Sequence, residues 1–286
     1  MISITTQIVL VKRVRVSNRE IDKIDWEQLW NDELKRSKVE NTTQLNWDKF
    51  AEQFERQYSR SDYRDKMLER VHTRPDDTVL DIGCGPGNLA VPLASRVKSV
   101  TALDMSLDML RLAKQQAEAQ KISNITFVQF DWEDIVIGKD IQPHDVVVCS
   151  RAFPKQNPRE SLAKLNQAAN KYVYLTLKTV ADDAYRFYTN LYQEIGKEYR
   201  TYPDYIYAYN LLYQMGILAH VDFIEYTDTF RYKKAEDAFQ ILNSHIRVET
   251  REQKDKLMAF VLRNMEKNNG FKLDMKCKWA LLWWEK

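Results

Sequence analysis

The sequence predicts an α/β fold: a doubly wound, mostly parallel seven-stranded sheet with helices on both faces, N-terminal helices and an inserted helical cap. Two observations carry this. Short runs rich in β-branched residues alternate with helical patterns, as parallel strands joined by crossover helices do. Three of only seven glycines fall at positions 83, 85 and 87, between the first such run and a helical pattern. The chain, 286 residues at 44% hydrophobic and 12% aromatic, is long and apolar enough for a large core.

Residues 1–18 alternate only loosely and are assigned no function. From Ile21 to about Arg60 the pattern is helical, with Trp26, Leu29, Trp30 and Leu34 in one piece and Trp47, Phe50, Ala51 and Phe54 in a second. We expect residues 1–45 to form an extension and helix, and 46–286 the main domain. A helix ending near Val71 precedes the turn composition of 72–77, and the first strand enters at Thr78. The next helix, from Asn88 to about Arg96, contains Pro92, which removes a backbone donor and predicts a short or bent helix. Strands follow at Ser99–Asp104, Ile125–Phe130, Asp145–Cys149 and Tyr172–Leu177, with Ser106 a suitable N-cap for the helix after the second. Residues 181–220 break the rhythm with two tyrosine-rich helices, which we expect to cap the carboxyl edge of the sheet. A strand at 222–230, helices within 235–242 and at about 249–267, a stop at Asn268-Asn269-Gly270 and a last strand at 277–284 complete the chain.

Charge is balanced: 43 basic and 41 acidic residues give a net charge of +2, no footprint for nucleic acid or an acidic membrane. Cys84, Cys149 and Cys277 lie far apart, the histidines have no metal spacing, and no metal is expected. No apolar run approaches the roughly 20 residues that span a bilayer, and the first residues lack signal-peptide order. A reduced, cytoplasmic location is the expectation.

In an open α/β sheet, ligands bind beyond the carboxyl ends of the strands. There the first strand delivers the glycine loop, the second Asp104, the third Asp131-Trp132, and the fourth Ser150-Arg151. Asp104 lies close to the ~20-residue offset at which a carboxylate reaches ribose hydroxyls, and its charge would repel a ribose phosphate. The loop reads Gly-x-Gly-x-Gly, with Asn88 following, Ala90 where a dinucleotide loop carries its third glycine, and Asp81 inside the strand. An NAD-dependent oxidoreductase is thereby disfavoured.

The stretch Asp81-Ile82-Gly83-Cys84-Gly85-Pro86-Gly87 closely resembles the first motif of class I S-adenosylmethionine-dependent methyltransferases. The resemblance spans about residues 47–180. It implies S-adenosylmethionine as cofactor, with Gly83, Gly85 and Gly87 along its methionine and ribose and Asp81 near its amino group. It also implies Asp104 on the ribose hydroxyls, Met105 beside the adenine, Asp131 reading the adenine amino group and Trp132 near the ring. Ser150 and Arg151 would face the methionine end, and Tyr58 and Tyr63 lie where many small-molecule members close the pocket. Cys84 reads as a small filler, since nothing beside it lowers a thiol pKa. After the fourth strand, Ser150-Arg151-Ala152-Phe153-Pro154 departs from the Asn/Asp-Pro-Pro-aromatic stretch of amino-adenine methyltransferases. The expected acceptor is therefore a small molecule in a lidded pocket, with an RNA or protein methyltransferase, or a non-catalytic S-adenosylmethionine-binding protein, as the alternatives, no membrane partner, and a homodimer left open. No catalytic base is assigned.

Overall fold

The computed structural model describes residues 20–37, 61–153, 156–267 and 270–286. The boundary expected at 45/46, and Trp47, Phe50, Ala51, Phe54 and Tyr58, lie outside the described residues. The strands are β1 (Thr78–Ile82), β2 (Ser99–Asp104), β3 (Ile125–Gln129), β4 (His144–Ser150), β5 (Ala169–Lys178), β6 (His220–Tyr232), β7 (Glu266–Lys267) and β8 (Phe271–Glu285). Their order is β3-β2-β1-β4-β5-β8-β6, so seven strands form one path, and the two-residue β7 pairs with β8 off it. β3, β2, β1, β4 and β5 are mutually parallel; β8 runs antiparallel to both β5 and β6. The chain winds outward through β1, β2 and β3 and then returns to β4, which places the topological switch between β1 and β4.

Register aligns the strand ends. Ile82 pairs with Leu103 on one side and Cys149 on the other, so Gly83, Asp104 and Ser150 leave the sheet side by side. Ser150 pairs with Thr176, and two residues on, Lys178 pairs with Trp279 of β8.

Helices α1 (Trp26–Arg36), α2 (Tyr63–Arg70), α3 (Ala90–Ala94), α4 (Leu107–Ala119), α5 (Pro158–Ala168), α6 (Asp183–Glu194), α7 (Tyr205–Gln214), α8 (Ala235–Ile246) and α9 (Arg251–Asn264) surround the sheet. Proline shortens α3 to five residues, and Ser106 Oγ accepts from Met109 N at 3.2 Å to cap α4. On one face Leu80, Ile82, Val147, Val173 and Leu175 pack with α5 and α7; on the other Val79, Val100, Val146 and Val148 pack with α2, α3 and α4.

The helices expected as one cap part company. α7 buries Ala208, Leu211 and Leu212 in the sheet-face core with Leu162 and Leu165 of α5, so it is a layer helix and not a cap. α6 joins α8 and α9 in a separate cluster around Leu191, Leu242, Leu257, Phe260 and Val261, against the far end of the β6–β8 ribbon. Both helices carry a tyrosine face, and only the long-range pairing distinguishes them. The helix expected to reach Lys267 ends at Asn264, where β7 takes over, and β8 begins at Phe271, ahead of the expected 277.

Candidate functional site

The glycine loop turns sharply because its residues adopt left-handed backbone angles, with φ of +67° at Gly83, +54° at Gly85 and +87° at Gly87. A Cβ on Gly83 would stand 2.2 Å from Ala152 Cβ, so only hydrogen fits where the loop meets the segment after β4. Gly87 lies behind the loop and off the cavity wall: a Cβ there would come within 3.0 Å of Val91 Cγ2 and 3.1 Å of Ala113 Cβ. Its place is helix packing, which departs from the ligand contact that the resemblance implies.

Asp104 ties the loop to β2. Its Oδ2 accepts from Gly85 N at 2.8 Å and its Oδ1 from Ser106 N at 2.9 Å, while Cys84 N donates to Leu103 O at 2.9 Å.

Asp81 is 2% exposed, and its Oδ2 has no hydrogen-bond partner among the described residues. Burial, and then the charge of Asp104, push its carboxyl up to about 7 against the pull of the Ala90 N–H. Burial also pushes the Cys84 thiol up, helped by Asp81 and Asp104, which suits a filler and not a thiolate nucleophile.

At the β3 end, Asp131 Oδ1 accepts from Glu133 N at 3.0 Å and caps a 3-10 turn over Trp132–Asp134. Trp132 is only 5% exposed and packs in the core under Lys164, whose Nζ sits 5.4 Å from the ring centroid. It lines the cavity from within the core, whereas Met105 (53% exposed) and Phe130 (39%) form the open rim.

At the β4 end, Tyr63 Oη lies 2.8 Å from Ser150 Oγ and 3.0 Å from Thr176 Oγ1. Arg151 N donates to the same Thr176 oxygen at 2.9 Å. Arg151 adopts φ +59°, unusual for a side-chain-bearing residue, and lays its guanidinium 4.0 Å over the Tyr63 ring. These contacts tie α2, β4 and β5 together.

Asp81, Gly83, Cys84, Gly85, Asp104, Met105, Asp131, Trp132, Ser150, Arg151 and Tyr63 all line one cavity of about 650 Å³, and Gly87 does not. The cavity runs on past the fourth strand end to Lys178, Trp279, Tyr202, Pro203, Phe153 and Trp30, none of which the sequence reading assigned to the site. For Lys178 a signal existed: it ends the fifth parallel strand, as Ser150 ends the fourth. Trp30 reaches the cavity from α1, edge-on to Phe153 at 5.9 Å, a contact that no local pattern announces. Among the described residues no group of His, Cys, Asp or Glu is arranged to hold a metal ion, and no helix is long and apolar enough to cross a membrane.

A glycine loop at the switch point of a doubly wound sheet, with an acid at the end of the second strand, is the geometry of a nucleotide-type ligand site. The chain belongs to the methyltransferase-domain family, whose model matches residues 73–258, and it is a class I S-adenosylmethionine-dependent methyltransferase. An uncharacterised protein of Haemophilus influenzae is 32% identical over 264 residues, covering 91% of this chain and 96% of that one. A ubiquinone biosynthesis O-methyltransferase of Coxiella burnetii is 30% identical over 139 residues, 47% of this chain and 55% of that one. A 23S rRNA (uracil(1939)-C(5))-methyltransferase of Aliivibrio fischeri is 31% identical over 130 residues, 42% of this chain and 28% of that one. The solved structure of a putative methyltransferase from Bacillus halodurans superposes with a TM-score of 0.54 at 20% identity, covering 78% of this chain and 98% of that one.

The residues present fit the cofactor. An orphaned, buried oxygen belongs to Asp81 on the cavity wall, the Gly83 wall has no room for a side chain, and the Asp104 carboxylate lines the same cavity.

Proposed function

We propose that the enzyme methylates a small molecule held beyond the ends of β4 and β5, beside Trp279 of β8. The observation that carries this reading is the far half of the cavity, a slot walled by Trp30, Phe153, Tyr202 and Trp279. A mostly apolar cavity of about 650 Å³ has the dimensions of a small-ligand site. A cytoplasmic setting suits the three free, buried cysteines.

In this reading the backbone at Gly83 and Gly85 lets the cofactor approach closely, and Asp104 accepts from its ribose hydroxyls. Asp131, Met105 and Phe130 border the adenine, with Trp132 backing it from the core. Asp81 lies at the amino group, and Ser150, Tyr63 and Arg151 frame the methionine end. Cys84 fills the turn, and Gly87 lets α3 and α4 close behind it. When bound, S-adenosylmethionine supplies a methyl group already activated on its sulfonium. The chain's own work is to orient the acceptor and keep water out, and orientation alone is worth up to roughly 7–11 kcal/mol. The Tyr63–Ser150–Thr176 hydroxyls hold the β4 and β5 ends in fixed relation for that purpose.

The rRNA and ubiquinone relatives each match less than half of this chain, so the acceptors in their names do not decide between RNA and a small molecule. The deciding experiment incubates the purified protein with methyl-labelled cofactor and either a metabolite extract or total RNA. Label is expected in the small-molecule fraction; label in RNA alone would overturn the reading.

A further inference from the structure

Three cations among the described residues line the cavity: Arg64, Arg151 and Lys178. Arg64 Nε donates to Asp65 Oδ1 at 2.9 Å, and Arg151 lies over Tyr63 and feels the charge of Asp228. The Lys178 side chain makes no hydrogen bond or ion pair with any described residue. Asp182, whose charge Lys178 feels, makes no ion pair with it; its Oδ1 accepts from Tyr185 N at 2.7 Å and its Oδ2 from Lys278 N at 3.1 Å. Lys178 therefore lines the cavity with no ion-pair partner among the described residues. It is exposed, and the protein around it lowers its pKa, with Asp182 and Cys277 opposing, so an arriving anion would give the ammonium the ion-pair partner it lacks among the described residues.

Position specifies what that anion belongs to. The carboxylates on the cavity wall, Asp81, Asp104, Asp131 and Glu133, all lie at the β1–β3 ends, where they would repel an anionic group. Lys178 lies at the opposite end, paired in register with Trp279. The Trp279 ring is fixed by its own N–H, which donates to Tyr226 Oη at 3.3 Å, and Tyr202 stands on the same cavity wall. Thr176, on the same face of β5, is two residues nearer the Ser150 cluster, roughly 7 Å along the strand.

We propose that Lys178 is the specificity-determining anchor for a carboxylate on the methyl acceptor, which is thus a small, flat organic acid lying against Trp279 and Tyr202. The methylated atom sits elsewhere on the same molecule, nearer Ser150. The inference rests on the small-molecule reading above and deepens it.

The test uses Lys178→Met, Lys178→Arg and the wild type. Calorimetry with S-adenosylhomocysteine is expected to give affinities within about twofold for all three, which also reports that each variant is folded. A tenfold drop in Lys178→Met with Lys178→Arg unchanged would mean that Lys178 holds the cofactor's own carboxylate, and would overturn the inference. Each protein, saturated with S-adenosylhomocysteine, is then titrated with 1-naphthoate and indole-3-acetate and with their primary amides. Carboxylates are expected to bind the wild type and Lys178→Arg at least tenfold more tightly than the amides, and Lys178→Met with no preference. The same preference in Lys178→Met, or none in the wild type, would overturn the inference. If label still enters the small-molecule fraction, that result sinks the anchor alone; label in RNA only sinks the small-molecule reading beneath it.

Discussion

Asp81 makes the sharpest residue-level prediction. Its carboxyl, ordinarily near 3.8, sits at about 7 in the folded protein, so between those values the folded chain holds a proton that the unfolded chain has lost. Stability from this group is complete below pH ~4 and declines as pH rises through 7. Chemical denaturation at pH 5 and pH 8 should therefore show the wild type losing roughly 2–3 kcal/mol more than Asp81→Asn, at about 1.4 kcal/mol per pH unit. Equal losses would refute the buried-acid account. Asp104→Ala removes the acceptor of two backbone N–H groups as well as the proposed ribose ligand. Affinity for S-adenosylhomocysteine should fall at least tenfold by calorimetry; near-normal affinity would refute the ribose assignment. The position of Asp104 at the end of β2 was legible in the sequence, because a strand end is a local feature, whereas Asp81 inside β1 stood out only through the family resemblance. Gly87's place behind the loop was not legible, because what a missing Cβ would strike depends on Ala113 of another helix.

At the scale of elements, α7 and α6 show where local pattern stops informing. Proline in α3 and the serine cap of α4 act within one turn, and the sequence reports them directly. The destination of a tyrosine-rich helix is set by partners elsewhere in the chain: α5 for one, α8 and α9 for the other. The layer position of α7 has a measurable cost. Leu211 is fully buried against the sheet-face core, so Leu211→Ala should destabilise the whole protein by about 2–5 kcal/mol in a single cooperative transition. A loss below 1 kcal/mol would instead indicate a loosely attached helix.

Across the whole molecule, the α6–α8–α9 cluster has its own hydrophobic centre, apart from the two that clasp the sheet. Regions joined to the rest through fewer buried contacts open at lower free energy. Hydrogen exchange read by mass spectrometry should show α8 and α9 exchanging ahead of α4 and α5, and simultaneous exchange would argue for one cooperative unit. Bound S-adenosylhomocysteine should slow exchange most at the ends of β1, β2 and β4, away from that cluster.

The antiparallel strand between β5 and β6 bears on how the protein is made. β8 supplies the neighbour of both strands, and its pairing with β5 joins residues about a hundred positions apart, as in Lys178 with Trp279. Until the ribosome has delivered β8, the nascent chain carries two strands with open edges, the arrangement that most invites aggregation. The sheet therefore closes only once β8 has been made, and a chain cut before Phe271 should stay soluble only while a holdase chaperone covers it.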